Sequence, residues 1–479
     1  MGGCTPRVIE PSAAPQRTAH TIFSGTMRSI FPGWRSMIVR KWTCLSALPL
    51  LLCTALGHAA PARGFDVLDY RVALVPDIPG KRVDGTLVVH FRAEQQLHTV
   101  TLDSGALTIA SVQQDGRALP FKQADSRVHI TLAAPLRAGD TGSVRIVYAG
   151  APPFGLEFAP ERDEVYTVFS TSQWMPSVDA PDERALLALS VTLPPGLLAT
   201  GTGRALPTRV LADGRIEHRW QLDTPMPGYV YGFAAGRYQQ AAQQHGPIAL
   251  RFLSVDRTPA QLQTLFARTG DMLDFFAARA GLPYRGESYQ QALVKRTIGQ
   301  EMAGLSLMSE AYGQGVLDDP DDTALMTHEA AHQWWGNRVT CASWHHFWLN
   351  EGMANFMTAA YLQHAQGEAA YQAQVRGWRT RLDALRAKGA DHALVYASWD
   401  APTADDRAVV YRKGAYVLHL LRGELGEDAF WRGLRDYTVA NDGRSVTTLD
   451  FQHAMEKAAG RSLQPFFQQW VYSADTTAR

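Results

Sequence analysis

The chain has 479 residues, 46% of them hydrophobic, and its 46 lysines and arginines are matched by 46 aspartates and glutamates. That length exceeds what one core usually serves, so two or three domains are expected. Balanced charge without a long run of either sign argues against a nucleic-acid or polybasic membrane surface and favours small or peptide ligands.

The N-terminal 59 residues read as an extension followed by a secretory signal. Arg40 and Lys41 precede the apolar run "WTCLSALPLLLCTALGHAA", which ends in small residues at Gly57 and Ala59. The run is too short for a comfortable membrane span, so no stable span is expected once the signal is cleaved. Residues 1–36 lie upstream of Met37, which reads as the better start codon, and are expected to be unstructured or a gene-start error. Cleavage removes Cys4, Cys44 and Cys53 and leaves Cys341 alone. The mature protein is therefore expected in the periplasm or outside the cell, without an internal disulfide.

Residues 60–254 alternate apolar and polar positions in short runs. "VLDYRVALV", "GTLVVHFRA", "SRVHITLAA" and "GSVRIVYAG" are separated by Gly, Pro and Asp clusters, the pattern of an antiparallel β-sandwich. The periodicity changes at "DRTPAQLQTLFARTGDMLDFFAARAG". There Thr258 and Gln261 form a capping box around Pro259, and apolar residues follow at helical spacing up to Gly281. A boundary near residue 255 follows, with a mainly helical domain over 255–479; within it "ESYQQALVKR" reads as a strand.

The chemistry lies in "HEAAHQWWGN". His328 and His332, four residues apart, share one face of a helix and can converge on one ion. Asp321 and Asp322 read as an acidic first turn, and Gly336 with Asn337 as the stop. Nineteen residues beyond His332, Glu351 opens a second helical pattern in "WLNEGMANF". Two imidazoles and a carboxylate make a catalytic zinc set with an open fourth position, one Zn2+ per chain. Glu329 lies about 100° around the helix from His328, beside the metal, where it can serve as general base. The alternative is a core helix that happens to carry two histidines.

"HEAAHQWWGN" followed by "WLNEG" resembles the gluzincin aminopeptidases of the aminopeptidase N and leukotriene hydrolase family. The resemblance runs from "PSVDAPDERALLALSVTLP" to "LQPFFQQWV". It implies an α+β multidomain fold, an N-terminal β-sandwich before a thermolysin-like zinc peptidase domain, and a peptide substrate. Tyr411, in "VVYRKGAYVL", matches the tyrosine that helps to stabilise the oxyanion. In "IGQEMAGLSLMS", Gly304 and Leu305 set a register that makes Glu301 the carboxylate for the substrate's α-ammonium; Gln300, Met302 and Ala303 depart from the family's pattern. Gln173, in "TSQWMPSVDAPDE", is the position offered for a second amine anchor, a surface glutamine being the alternative. The resemblance also implies a short two-domain form, with a more open cleft or a partner or oligomer that closes it.

The function expected from these residues is a zinc aminopeptidase. An endopeptidase on the same metal site and a non-catalytic peptide-binding protein are the alternatives.

Overall fold

A computed structural model describes residues 63–296, 299–397, 399 and 401–474. The expected signal segment and the extension before it lie outside these described residues. The alternating runs become the strands Phe65–Asp77, Arg82–Ala93, Arg127–Leu136 and Thr141–Gly150. Arg184–Leu193 shows why they fold so, since every second side chain is buried along its whole length.

An eight-stranded sheet is ordered Arg204–Val210, Ile216–Pro227, Arg184–Leu193, Phe65–Asp77, Arg82–Ala93, Thr141–Gly150, Thr108–Gln114 and Arg117–Ala118. It packs through Leu87, Val89, Ile146 and Leu187 into a core shared with Val100, Ile130, Val165 and Phe233 of two smaller sheets. One pair departs from the antiparallel expectation. Phe65–Asp77 and Arg184–Leu193 run parallel, because the chain between them crosses over through the smaller sheets before it returns.

The change of domain comes earlier than residue 255. Strands Gln239–His245 and Ile248–Ser254 pair not with the sandwich but into a five-stranded sheet with Ser288–Val294, Leu305–Ser309 and Gly299–Met302. Leu250 and Phe252 belong to the core of the helical domain. Alternation continues across the junction, so periodicity alone does not mark it.

The helices of the second domain are α1 (Pro259–Leu265), α2 (Thr269–Ala280), α3 (Glu310–Asp318), α4 (Ala324–Ala331), α5 (Trp348–Gln366), α6 (Glu368–Ala387), α7 (Ala404–Ala408), α8 (Gly414–Leu425), α9 (Glu427–Ala440), α10 (Thr448–Ala459) and α11 (Gln464–Trp470). The Thr258–Gln261 capping box opens α1, and Gly281 ends α2 in the left-handed region. The single helix expected to Gly281 is broken between α1 and α2. Phe266 turns inward to stack on Phe252, and the Thr269 hydroxyl donates to Gln291 Oε1. Asp321 and Asp322 are not in the first turn of α4: Thr323 holds the cap position and both aspartates precede it. Among the described residues no helix is long and apolar enough to cross a membrane.

Candidate metal centre

Helix α4 is short and buried on every side from Leu325 to Ala331, as expected of a helix without a solvent face. It carries His328 and Glu329, and His332 stands at its C-terminal cap with helical dihedrals. The first turn of α5 presents Glu351 to the same space. His328 Nε2 and His332 Nε2 are 3.0 Å apart, and Glu351 Oε2 lies 3.3 and 3.4 Å from them. All three residues are buried.

One ligand atom from each residue lies within 4.8 Å of the others, a spacing that could hold a metal ion. Glu351 Oε2 has no hydrogen bond of acceptable geometry despite its burial. His332 Nδ1 lies 2.9 Å from the Trp335 carbonyl, which can only accept, so Nδ1 carries a proton and Nε2 is the atom turned toward His328 and Glu351. Two nitrogen donors and one carboxylate oxygen suit Zn2+.

The charges point the same way. Burial and the neighbouring Glu301 charge push the Glu329 carboxyl well above its ordinary range. Burial, opposed by His332 and reinforced by Glu351, pushes Glu301 up to about 7. Glu351 is held at about 2 because the two imidazoles outweigh its burial, and His332 is drawn up to about 10 because the surrounding carboxylates outweigh its own. Three buried carboxylates facing two imidazoles lack positive charge, and a dication among them offsets it.

Glu301 lies on the strand Gly299–Met302, the last strand of the five-stranded sheet. Gln300 Nε2 donates to its Oε2 at 3.0 Å, and Gln300 Oε1 accepts from the Phe169 N–H of the sandwich at 2.8 Å. The residue that departs from the family pattern thus holds the carboxylate. Glu329 packs against the backbone of Gly299, where any Cβ would collide with its Oε1.

Tyr411 sits in a π-helical turn, Val409–Lys413, between α7 and α8, a distortion of the kind common at functional sites. Its ring stacks on His328 with centroids 6.1 Å apart, and the Glu351 carboxylate is among the charges near its hydroxyl. Burial first, then the nearby carboxylates, raises its pKa well above the usual value, so the phenol stays a neutral donor.

Two further expected positions, Gly304 and Gln173, make structural contacts. Gly304 forms the turn after Met302 at φ +76°, its N–H donating to Gln333 Oε1. Gln173 packs its side chain against Gly105 and Gly155 within the sandwich; from that segment it is Phe169 that reaches the Glu301 strand.

The supports of the site were not read from the sequence. Gln333 bridges the Met302 carbonyl and the Gly304 N–H, and Asn337 Nδ2 donates to the Glu301 carbonyl, so α4 and the Glu301 strand are tied together. Asn350 Nδ2 donates to Tyr229 Oη, which donates to the Gly336 carbonyl. A buried polar side chain beside each ligand was the available signal.

Residues 268–470 match the peptidase family M1 domain. The chain is 25% identical over 285 residues to leucine aminopeptidase 2 of Aspergillus oryzae, covering 58% of this chain and 46% of that protein. It is 25% identical over 436 residues to aminopeptidase N of Lactobacillus delbrueckii subsp. lactis, covering 84% and 50%. The chain thus spans about half the length of these relatives. A solved M1 zinc metallopeptidase from Deinococcus radiodurans, a mutant bound to a Tyr-Ser-Ala substrate, is 27% identical with a TM-score of 0.75, over 86% of this chain and 95% of that one. A candidate metal set on α4 and α5, a phenol and two further carboxylates around it, and this likeness in sequence and fold agree that residues 268–470 form a peptidase family M1 domain.

Proposed function

We propose that the protein is an exported zinc aminopeptidase that removes N-terminal residues from short peptides. The observation that carries this reading is the buried pair Glu301 and Glu329 beside the His328, His332 and Glu351 set: one carboxylate suits the base and the other the α-ammonium. Zinc, when bound, supplies Lewis-acid activation of water and of the scissile carbonyl. Glu329 accepts the proton of the attacking water at a carboxylate oxygen and returns it to the leaving amine. The Tyr411 hydroxyl donates to the oxygen on which charge develops. Glu301, oriented by Gln300, pairs with the substrate's ammonium and confines cleavage to the first peptide bond. Gly304 keeps the turn after Glu301 in place through its bond to Gln333, and Gln173 packs within the sandwich. The tripeptide held by the Deinococcus protein supports short peptides as the substrate class.

Incubating zinc-loaded protein with a free tripeptide should release the first residue as a free amino acid, followed by the second. Internal cleavage of long peptides with blocked amino termini would support the endopeptidase reading instead, and binding without turnover a non-catalytic role. Export rests on the Arg40–Lys41 to Ala59 pattern. N-terminal sequencing of secreted protein should begin close to Ala60, and recovery of residues 1–36 on it would refute the signal.

A further inference from the structure

The π-helical turn that carries Tyr411 is gripped from outside by two consecutive residues. Lys413, the last residue of the turn, is wholly buried, and its Nζ donates to Asp391 Oδ1 at 2.8 Å and to the His392 carbonyl at 2.6 Å. Asp391 is itself nearly buried, and Arg386 lies 3.5 Å from its other oxygen. At the opposite end, His392 Nε2 is 3.2 Å from Asp406 Oδ1. Asp406 closes the capping box with Thr403 that opens α7. Residues 391 and 392 therefore hold both ends of the segment 403–413, with the π-turn between the two anchors.

A π-turn contains one residue more than an α-helical turn needs and is rare when nothing enforces it. Relaxation to an α-helix would shift the register by one residue, rotating Tyr411 by about 100° around the axis relative to α8. Its hydroxyl would leave Glu351. A buried lysine–aspartate pair is a poor source of stability compared with apolar residues of the same volume, and its best-attested use is to fix a register.

We propose that the buried Lys413–Asp391 ion pair is a positioning device: it holds the π-turn in register and thereby aims the Tyr411 hydroxyl at the reaction centre. Lys413 touches no substrate and acts through Tyr411. This inference rests on the catalytic reading of Tyr411.

The test is a kinetic cycle of wild type, Lys413→Met, Tyr411→Phe and the double variant, all zinc-loaded, on one aminoacyl fluorogenic substrate. It is paired with amide hydrogen exchange of residues 404–414 in the metal-free proteins. Tyr411→Phe should lower kcat by roughly 10² to 10³. Lys413→Met should lower kcat by about 10-fold or more with KM within about 2-fold, yet change kcat by less than about 2-fold when Tyr411 is already phenylalanine. Exchange over 404–414 should rise in Lys413→Met and stay unchanged in Tyr411→Phe. Losses that multiply in the double variant, or exchange that does not rise, overturn the positioning role. Wild-type kcat in Tyr411→Phe overturns the reading of Tyr411 itself, while exchange still reports whether the ion pair holds the turn. If Lys413→Met does not fold, Asp391→Asn replaces it in the same cycle. That variant keeps the His392 carbonyl bond, and the same non-additivity is required of it.

Discussion

Gly352 and Gly414 meet backbone to backbone where α5 crosses α8: a Cβ built on either would stand 2.9 Å from the other's Cα. Gly352 follows the candidate metal ligand Glu351, and Gly414 follows Tyr411 by three residues. The absence of two side chains is what lets the helix that carries Glu351 approach the one that follows Tyr411 so closely.

Gly352→Ala tests this contact. The new methyl would also press on Val410 O at 3.2 Å, and no rotamer relieves a clash with backbone. Overpacking costs about 1–3 kcal/mol, more than the up to ~1 kcal/mol that alanine gains over glycine in a helix. The melting temperature and kcat should both fall. A melting temperature at or above the wild-type value would mean that the helices have room to spare.

Glu329→Gln should keep about one zinc per chain, since Glu329 is not among the ligands. It should lower kcat by roughly 10² to 10⁴ through loss of the base. His328→Ala should lose the metal. Zinc content by plasma mass spectrometry and kcat on the same preparations decide it, and a Glu329→Gln protein without zinc would place that carboxylate on the metal.

Away from the site, Glu164 is fully buried beside Arg162, and burial pushes its carboxyl up to about 7. The folded state then keeps a proton that the unfolded chain has lost between pH 4.5 and about 7. The contribution of this group to stability is therefore present below pH 4.5, falls as the pH rises to about 7, and is level above that. The ceiling is about 3 kcal/mol at 1.36 kcal/mol per pKa unit. Glu164→Gln should leave stability unchanged at pH 4.5 and raise it by roughly 1 to 3 kcal/mol at pH 8. Urea unfolding at both values checks the sign; a difference confined to pH 4.5 would contradict it.

The candidate metal ligands were legible because helical periodicity brings His328 and His332 to one face, with Glu351 opening the next helical pattern nineteen residues on. The strands were legible from alternation, and α1 from the Thr258–Gln261 box. Long-range pairing was not. Nothing local signals that Ile248–Ser254 lies beside Ser288–Val294, that Phe65–Asp77 runs parallel to Arg184–Leu193, or that Gly352 faces Gly414. The π-turn was also hidden, since its anchors, Asp391 and His392, lie some twenty residues before Lys413. Gln300 read as a departure from a familiar pattern, and only its bonds to Glu301 and Phe169 give it a role.

The proposed aminopeptidase activity is separated from its alternatives by one comparison: kcat/KM of the zinc-loaded protein for an aminoacyl fluorogenic substrate and for its N-acetylated form. If Glu301 holds the α-ammonium, acetylation should cost at least about 100-fold, within the range for leaving a buried charge without its partner. Glu301→Ala should lower kcat/KM for the free substrate by a comparable factor and nearly erase the preference. Equal cleavage of the free and acetylated substrates by the wild type would contradict the aminopeptidase reading and leave an endopeptidase on the same metal.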